Sequence, residues 1–308
     1  MGYLMRFLRS SRPVGVLIAL LSILVLALAG CSNNEESEGL GADISPTSVE
    51  VEPVAEIADL VPAPIRESGQ LIVGVNVPYA PNEFKDANGD IIGFDVDLMN
   101  AVGSVLGLTP QYREAQFDTI IPSVQAGTYN VGMSSFTDTK EREAQVDFVT
   151  YYSAGVQWAQ QVGAGIDPNN ACGKRVAVQS TTYEDTDEIP AKSQACTDAG
   201  QPAIEKVRYD SQDEATNALM LGRVDAMSAD SPVTSYAIER SNGELEPAGG
   251  VFDSAPYGYP VQKGSQLAQA LQQAVQYLID NGQYQTIAEH WGLGAGTIPT
   301  SVINGAVS

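Results

Sequence analysis

From Gln70 onward the chain alternates between short runs rich in β-branched residues and longer stretches with helical spacing. Strands read at LIVGVNV (71–77), TPQYRE (109–114), YNVGMS (129–134), KRVAVQ (174–179), AIEKVRY (203–209) and VDAMSA (224–229). Helices read at DVDLMNAVGSVLG, TIIPSVQAG, the region after Thr182, DEATNALMLG and SPVTSYAIE. Strand, helix, strand in repetition predicts an α/β fold with mainly parallel sheets. Local punctuation agrees with this. Ser211 with Glu214 makes a capping box, Gly222 stands just past that helix, Asp118 is placed to cap the helix ending at Gly127, and Asn88-Gly89 predicts a hairpin turn.

Two features divide this alternation into two lobes. The segment 153–173 is strand-like and then rich in Gly and Pro, and it separates one alternating block from a second. Beyond about Gly250 come one short strand-like stretch, YGYPVQ (257–262), and two closing helices. In the first helix Leu267, Leu271, Ala274, Val275 and Leu278 share a face; the second holds Tyr284, Ile287 and Trp291. Having no sheet of their own, these helices are expected to return to the first lobe. Two chain crossings make a hinge, and a cleft between lobes is a favoured ligand site.

The N-terminus reads as a targeting segment. Arg6, Arg9 and Arg12 precede Val14–Ala29, a run of 16 uncharged residues that is shorter than the roughly 20 of a spanning helix. It ends in Leu28-Ala29-Gly30-Cys31, which resembles a bacterial lipobox and implies lipidation at Cys31; the alternative is an ordinary secretory signal with an incidental cysteine. Residues 32–53 are acidic and poor in large apolar side chains, as expected of a flexible tether of about 25 Å root-mean-square span. The whole chain carries 16 Lys+Arg against 38 Asp+Glu, a formal charge of −22. Such a body repels nucleic acid and anionic lipid surfaces, so the membrane is reached through the lipid alone. Cys172 and Cys196 remain. In an oxidising compartment they suggest a disulfide closing a loop of about 25 residues, worth roughly 3.5 kcal/mol; two buried free thiols are the alternative.

No catalytic constellation stands out. A triad or a Cys-His pair would need the single histidine, His290, which reads as an exposed or capping residue on a terminal helix. KDANGD (85–90) has its glycine too early for a calcium loop, and with one histidine and no CxxC no metal or cofactor site is expected. MSSFTDTKER (133–142) is more informative. A strand ends at Met133, Ser134, Ser135 and Thr137 fall in the turn, and Asp138 with Glu141 could box the start of a short helix. Backbone N–H groups at such a turn attract anions, and Arg142 lies one helical turn on, able to pair bidentately with a carboxylate. An ordinary capped turn into a solvated helix fits the same residues. VQSTTYEDT (178–186) repeats the pattern with Thr181 and Glu184, and Asp230 stands just past another strand end.

Taken together these stretches resemble the family 3 extracellular solute-binding proteins, the polar amino-acid receptors of ABC importers. The resemblance runs from about Gln70 to Gly292 and rests on LIVGVNVPYAP, FKDANGDIIGFDVDLMNAV, FDTIIPSVQAGTYNVGMSSFTDTKERE, KRVAVQSTT, LGRVDAMSADSP and NGQYQTIAEHWG. It implies an α/β type II periplasmic-binding-protein-like clamshell of two lobes joined by two crossover strands. The expected divisions are a signal peptide (1–30), a tether (31–56), the first lobe (57–155), the second lobe (156–252), the return to the first lobe (253–292) and a tail (293–308). By the same resemblance Arg142 pairs with a ligand α-carboxylate beside Ser135 and Thr137, and Thr182 supplies the second lobe's donor turn. Asp230 receives the α-ammonium, and Tyr79 and Phe117 flank the ligand side chain. Ser134, Asn76 and Tyr183 complete the candidate set. Asn76 stands where receptors for cationic amino acids tend to carry an aspartate, which leans the expectation towards a neutral ligand such as glutamine. Ser180 replaces a glycine usual in the second turn. The implied protein is a monomeric, non-enzymatic receptor, lipid-anchored outside the cell membrane, that hands an amino acid to a permease with its cytoplasmic ATPase. A sensing or docking protein and a dehydratase on the same fold are the alternatives.

Overall fold

In the computed structural model, which describes residues 45–307, the chain enters through α1 (Ala55–Ala58) and α2 (Ala63–Ser68). There follow β1 (Gln70–Val75), the hairpin of β2 (Phe84–Lys85) and β3 (Ile91–Ile92), α3 (Phe94–Leu106) and β4 (Thr109–Glu114). Next come α4 (Phe117–Gln125), β5 (Val131–Gly132), α5 (Lys140–Glu143) and β6 (Val146–Gln161). The second block holds β7 (Arg175–Gln179), a π-helical turn over Glu184–Glu188 that runs into α6 (Ile189–Asp198), and β8 (Glu205–Tyr209). It continues with α7 (Gln212–Met220), β9 (Ala226–Asp230) and α8 (Ser231–Arg240). Finally β10 (Leu245–Gln262) leads back to α9 (Gln266–Asp280) and α10 (Gln283–His290).

The strands run in the order β4-β1-β5-β10-β6-β9-β7-β8. β1 pairs in parallel with β4 and β5, and β7 in parallel with β8 and β9, as strand–helix–strand units require. Between these two groups the long strands β6 and β10 pair antiparallel, from Val146 opposite Gln262 to Gln161 opposite Leu245. They belong to both lobes. β6 gives Val149, Tyr151, Tyr152 and Ala154 to a core shared with α3, α9 and α10, then Val156 and Trp158 to a separate core with Val176, Val178 and Ile189. The pairing slips between Ala248 and Phe252 and again before Ala255, at the level where core membership changes. Gly155 sits there because a Cβ would lie 2.5 Å from a Val251 methyl and 2.7 Å from the Phe252 carbonyl oxygen. The described residues lie within one compact unit, so the two lobes have a defined relation.

The expected apolar face of α9 is buried, with Leu271, Ala274, Val275 and Leu278 at 0% exposure. Cys172 and Cys196 form a disulfide that ties the approach to β7 to α6. The Ser211–Glu214 capping box is present in full, and Asn88-Gly89 turns the β2–β3 hairpin.

Several local expectations give way. Gln116, not Asp118, occupies the N-cap of α4. Asp138 accepts from the backbone N–H of Gly305, while Thr139 caps α5 by accepting from Arg142 N at 3.2 Å. The tether does not run free to residue 56: from Ser45 the chain lies on the first lobe. Val49, Val51 and Val54 pack on its core, and Thr47 N donates to Asp97 at 2.8 Å. Alternating valines supply an apolar edge that the acidic average of the segment conceals. The C-terminal segment is likewise a strap. Val302 exchanges hydrogen bonds with Thr150, and Asn304 does so with Phe148. The signal segment, Cys31 and residues 32–44 lie outside the described residues.

Candidate functional site

The carboxyl ends of β1, β5, β7 and β9 converge where the lobes meet, and there the chain leaves each strand through a polar turn. After β5, Ser134 and Ser135 are buried, and Ser135 takes a φ of +49°. In the other lobe, after β7, Thr181 takes a φ of +65°. Non-glycine residues in the left-handed region cost on the order of 1–3 kcal/mol and cluster at ligand clamps. The absence of glycine at position 180 is accounted for, because the left-handed residue of this turn is Thr181.

Carboxylates beneath the first turn hold it in place. Ser134 Oγ donates to Glu83 at 2.8 Å, and both the backbone N–H and the hydroxyl of Ser135 lie 3.2 Å from Asp95, which also accepts from the Tyr151 hydroxyl at 2.6 Å. Asn82 Nδ2 donates to Ser135 Oγ at 2.8 Å. Burial and the mutual repulsion of the two acids hold Glu83 far above the usual carboxylate range, and burial raises Asp95 to about 6. Gly93 is obligatory here: its φ is +137°, and a Cβ would stand 2.1 Å from the Asn82 carbonyl oxygen.

Between the turns lies a narrow cavity whose free volume, about 10 Å³, holds no more than a single water, so the lobes stand closed on one another and a ligand enters only as they part. It is lined by all ten candidate ligand residues: Asn76, Tyr79, Phe117, Ser134, Ser135, Thr137 and Arg142 from the first lobe, and Thr182, Tyr183 and Asp230 from the second. Two lining residues were not anticipated, Gln179 and Glu184. Gln179 ends β7, where the strand-end rule could have found it. The sequence pattern places Glu184 in a capping pair with Thr181. Instead Thr181 N donates to Asp185 at 2.9 Å, and the π-helical turn shifts the register so that Glu184 is turned inward.

The charged ends are arranged in opposition. Arg142 donates through its two terminal nitrogens to the Thr137 and Thr181 carbonyls at 2.8 and 2.9 Å, so it spans both lobes. Its guanidinium lies 5.7 and 5.8 Å from the rings of Phe117 and Phe136, which stack at 4.4 Å. Across the cavity Asp230 accepts from the Tyr79 hydroxyl at 2.7 Å, and Gln179 Nε2 donates to Asn76 Oδ1 at 2.8 Å. These are further bonds between lobes. Burial lowers the Arg142 pKa and raises Asp230 to about 6; burial together with Asp230's charge raises Glu184 to about 8. A cavity with a cation at one end and acids at the other can hold a zwitterion. A wider groove lined by Phe84, Lys85, Asp213, Tyr236 and Arg240 has no comparable set of convergent donors.

Comparison with known proteins points the same way. The family model of the bacterial extracellular solute-binding proteins, family 3, matches residues 71–294. The arginine-binding protein ArgT of Corynebacterium glutamicum is 43% identical over 279 residues, covering 90% of this chain and 91% of that protein. Among solved structures, an ancestral arginine-binding protein bound to arginine has 32% identity and a TM-score of 0.67, covering 72% of this chain and 98% of its own. An ancestral arginine-binding protein bound to glutamine has 34% identity and a TM-score of 0.66, covering 73% and 98%. Among the described residues no helix is long and apolar enough to cross a membrane, and no group of His, Cys, Asp or Glu is arranged to hold a metal ion.

Proposed function

The chain belongs to the bacterial extracellular solute-binding proteins of family 3, and from that premise we propose that it is the receptor of an ABC importer. It captures a polar amino acid by closing its lobes and passes it to the permease. Arg142 pairs with the α-carboxylate, helped by Ser135, Thr137 and Thr182, and Asp230 receives the α-ammonium. Tyr79, Phe117, Asn76, Ser134 and Tyr183 surround the side chain. The observation that carries this reading is the narrow cleft between the lobes, lined by Arg142 from one lobe and by Asp230 from the other. Lobe boundaries at 155/156 and 252/253 put the hinge where β6 and β10 change core and register. Lipidation at Cys31 would hold the receptor at the outer face of the cell membrane.

For the side chain, a basic amino acid is favoured over the neutral, glutamine-like one that Asn76 suggested. The 43% identical relative is named for arginine. Asn76 is also fully engaged, with Nδ2 donating to the Ala115 carbonyl at 2.8 Å and Oδ1 accepting from Gln179. An aspartate there would lack the donor that Ala115 requires. A thermal-shift screen of the protein against the common amino acids tests the reading. A ligand at 100 times its Kd adds about 2.7 kcal/mol of stability, several degrees in Tm. No shift with any amino acid would reject the receptor function.

A further inference from the structure

We propose that Glu184 is the specificity-determining residue of this site: its carboxylate, carried by the second lobe, takes the positive charge of a basic amino acid's side chain. The inference rests on the amino-acid receptor reading and adds the residue that makes the choice. Its basis is a charge count. The cavity holds one cation, Arg142, and two acids, Asp230 and Glu184. The two ends of a zwitterion engage Arg142 and Asp230 and leave Glu184 over.

Little in the protein holds the Glu184 carboxyl: only the Thr182 hydroxyl and its own backbone N–H reach it. The residue is 2% exposed, and its Oε1 has no hydrogen-bond partner. The neighbouring acids are all satisfied. Asp185 accepts from Thr181 N and pairs with Lys206 and Arg208, both at 2.7 Å. Glu188 accepts from Trp158 Nε1 at 3.1 Å and Ser228 Oγ at 3.0 Å, with Lys192 3.9 Å away. Arg142 is turned to the Thr137 and Thr181 carbonyls and, among the described residues, forms no ion pair with Glu184. A buried carboxylate with a free oxygen facing a cavity is costly unless a cation or a donor meets it there.

The groups that face Glu184 decide what meets it. Arg142 approaches from α5, Asp230 from the end of β9, Tyr79 from the segment after β1, and Glu188 and Tyr183 from its own turn. Burial and the charge of Asp230 outweigh the nearby Arg142 and raise Glu184 to about 8, so its carboxyl favours the protonated form until a second positive charge stands beside it. A basic side chain therefore displaces that proton: the carboxylic acid becomes a carboxylate paired with the ligand cation, and the proton goes to the buffer. A neutral side chain leaves it in place. Asp230 receives the α-ammonium of either kind of ligand, so its own titration cancels when the two are compared.

The test is calorimetry on the intact protein and on Glu184→Gln with L-arginine, L-lysine, L-citrulline and L-glutamine, in two buffers of different protonation enthalpy at pH 7. Citrulline keeps the shape of arginine without its charge. The parent is expected to prefer a basic ligand over citrulline by at least about 30-fold, as for a buried charge pair that loses one partner. It should also release about one more proton with the basic ligand than with citrulline. In Glu184→Gln both differences should vanish. A parent that binds citrulline or glutamine as tightly as arginine and lysine overturns the inference and leaves the receptor reading intact. So does a variant that retains the preference and the extra proton. If no amino acid binds the parent, both readings fall. If Glu184→Gln does not fold, Glu184→Ala is read in the same way, and a parent without the preference or the extra proton overturns the inference whichever variant folds.

Discussion

Replacing Arg142 by alanine separates binding from folding. The side chain contributes two hydrogen bonds to carbonyls and a position over two phenyl rings, all at the cavity. A charge-assisted hydrogen bond contributes about 1.5–3 kcal/mol, so a bidentate pair with a carboxylate amounts to roughly 3–6 kcal/mol before water replaces part of it. Measured losses of one partner in buried charge pairs, about 2–5 kcal/mol, agree with that range. The Kd for the amino acid should therefore rise by about 30- to 5,000-fold at 25 °C. Arg142→Lys keeps the charge but not the fork, and should fall between the two. The fold should survive, because the α5 cap uses the backbone N–H of residue 142 rather than its side chain. Isothermal titration against the parent's own ligand, with a thermal melt to check folding, measures both quantities. An Arg142→Ala protein that melts normally and binds within threefold of the parent would refute the assignment of the α-carboxylate to this residue.

Two further outcomes follow from the same geometry. Burial raises Glu184 and Glu188 to about 8 and Asp138 to about 7, whereas unfolded carboxyls titrate near 4. Between those values the folded state binds more protons, so the stability of the ligand-free protein should fall as pH rises from about 4.5 to about 8. Tm should be lower at pH 8 than at pH 5.5, the gap should narrow in Glu184→Gln, and a Tm that rises across this range contradicts the sign. Deleting residues 301–308 removes the bonds from the strap to Thr150, Phe148, Asp138 and Glu143. A net loss of about 2 kcal/mol, near 4–8 °C in Tm, is expected once the strap's own ordering is offset; an unchanged melt would mean that the contacts contribute nothing.

How much of this was legible depends on where each signal resides. Strands such as LIVGV and helices such as Gln266–Asp280 announce themselves because one-sided or continuous burial writes its period into the sequence. The crossover strand β10 does not. Its first part, around Pro247, Gly249 and Gly250, has no strand propensity of its own and is held extended by pairing with β6 across register slips. Only the segment 257–262 carried an alternating signal. Capping fails for a related reason. The residues Thr181, Glu184 and Asp185 permit two registers, and a π-helical turn that inserts one extra residue decides between them. Turns such as Ser134–Thr137 are legible as strand-end anion sites, whereas Tyr79 and Phe117 are named only through the family resemblance. That the ten candidate residues share one cavity is a property of lobe closure, which no spacing along the chain encodes.

The same distinction explains why Asn76 suggested a neutral ligand. A pocket's electrostatics is the sum over both of its walls, and a missing carboxylate on one wall can be supplied from the other. Here position 76 is engaged within the first lobe, donating to Ala115, and across to the second, accepting from Gln179. The second lobe brings Glu184 to the same cavity, where burial beside Asp230 makes an unpaired negative charge expensive. On the proposed reading the charge that selects the ligand would be delivered only when the lobes close. An open first lobe would, on the proposed assignment, meet the α-carboxylate through Arg142, and discrimination between charged and neutral side chains would belong to closure. On that logic, substitutions at Glu184 should alter how long a basic ligand stays more than how fast it arrives.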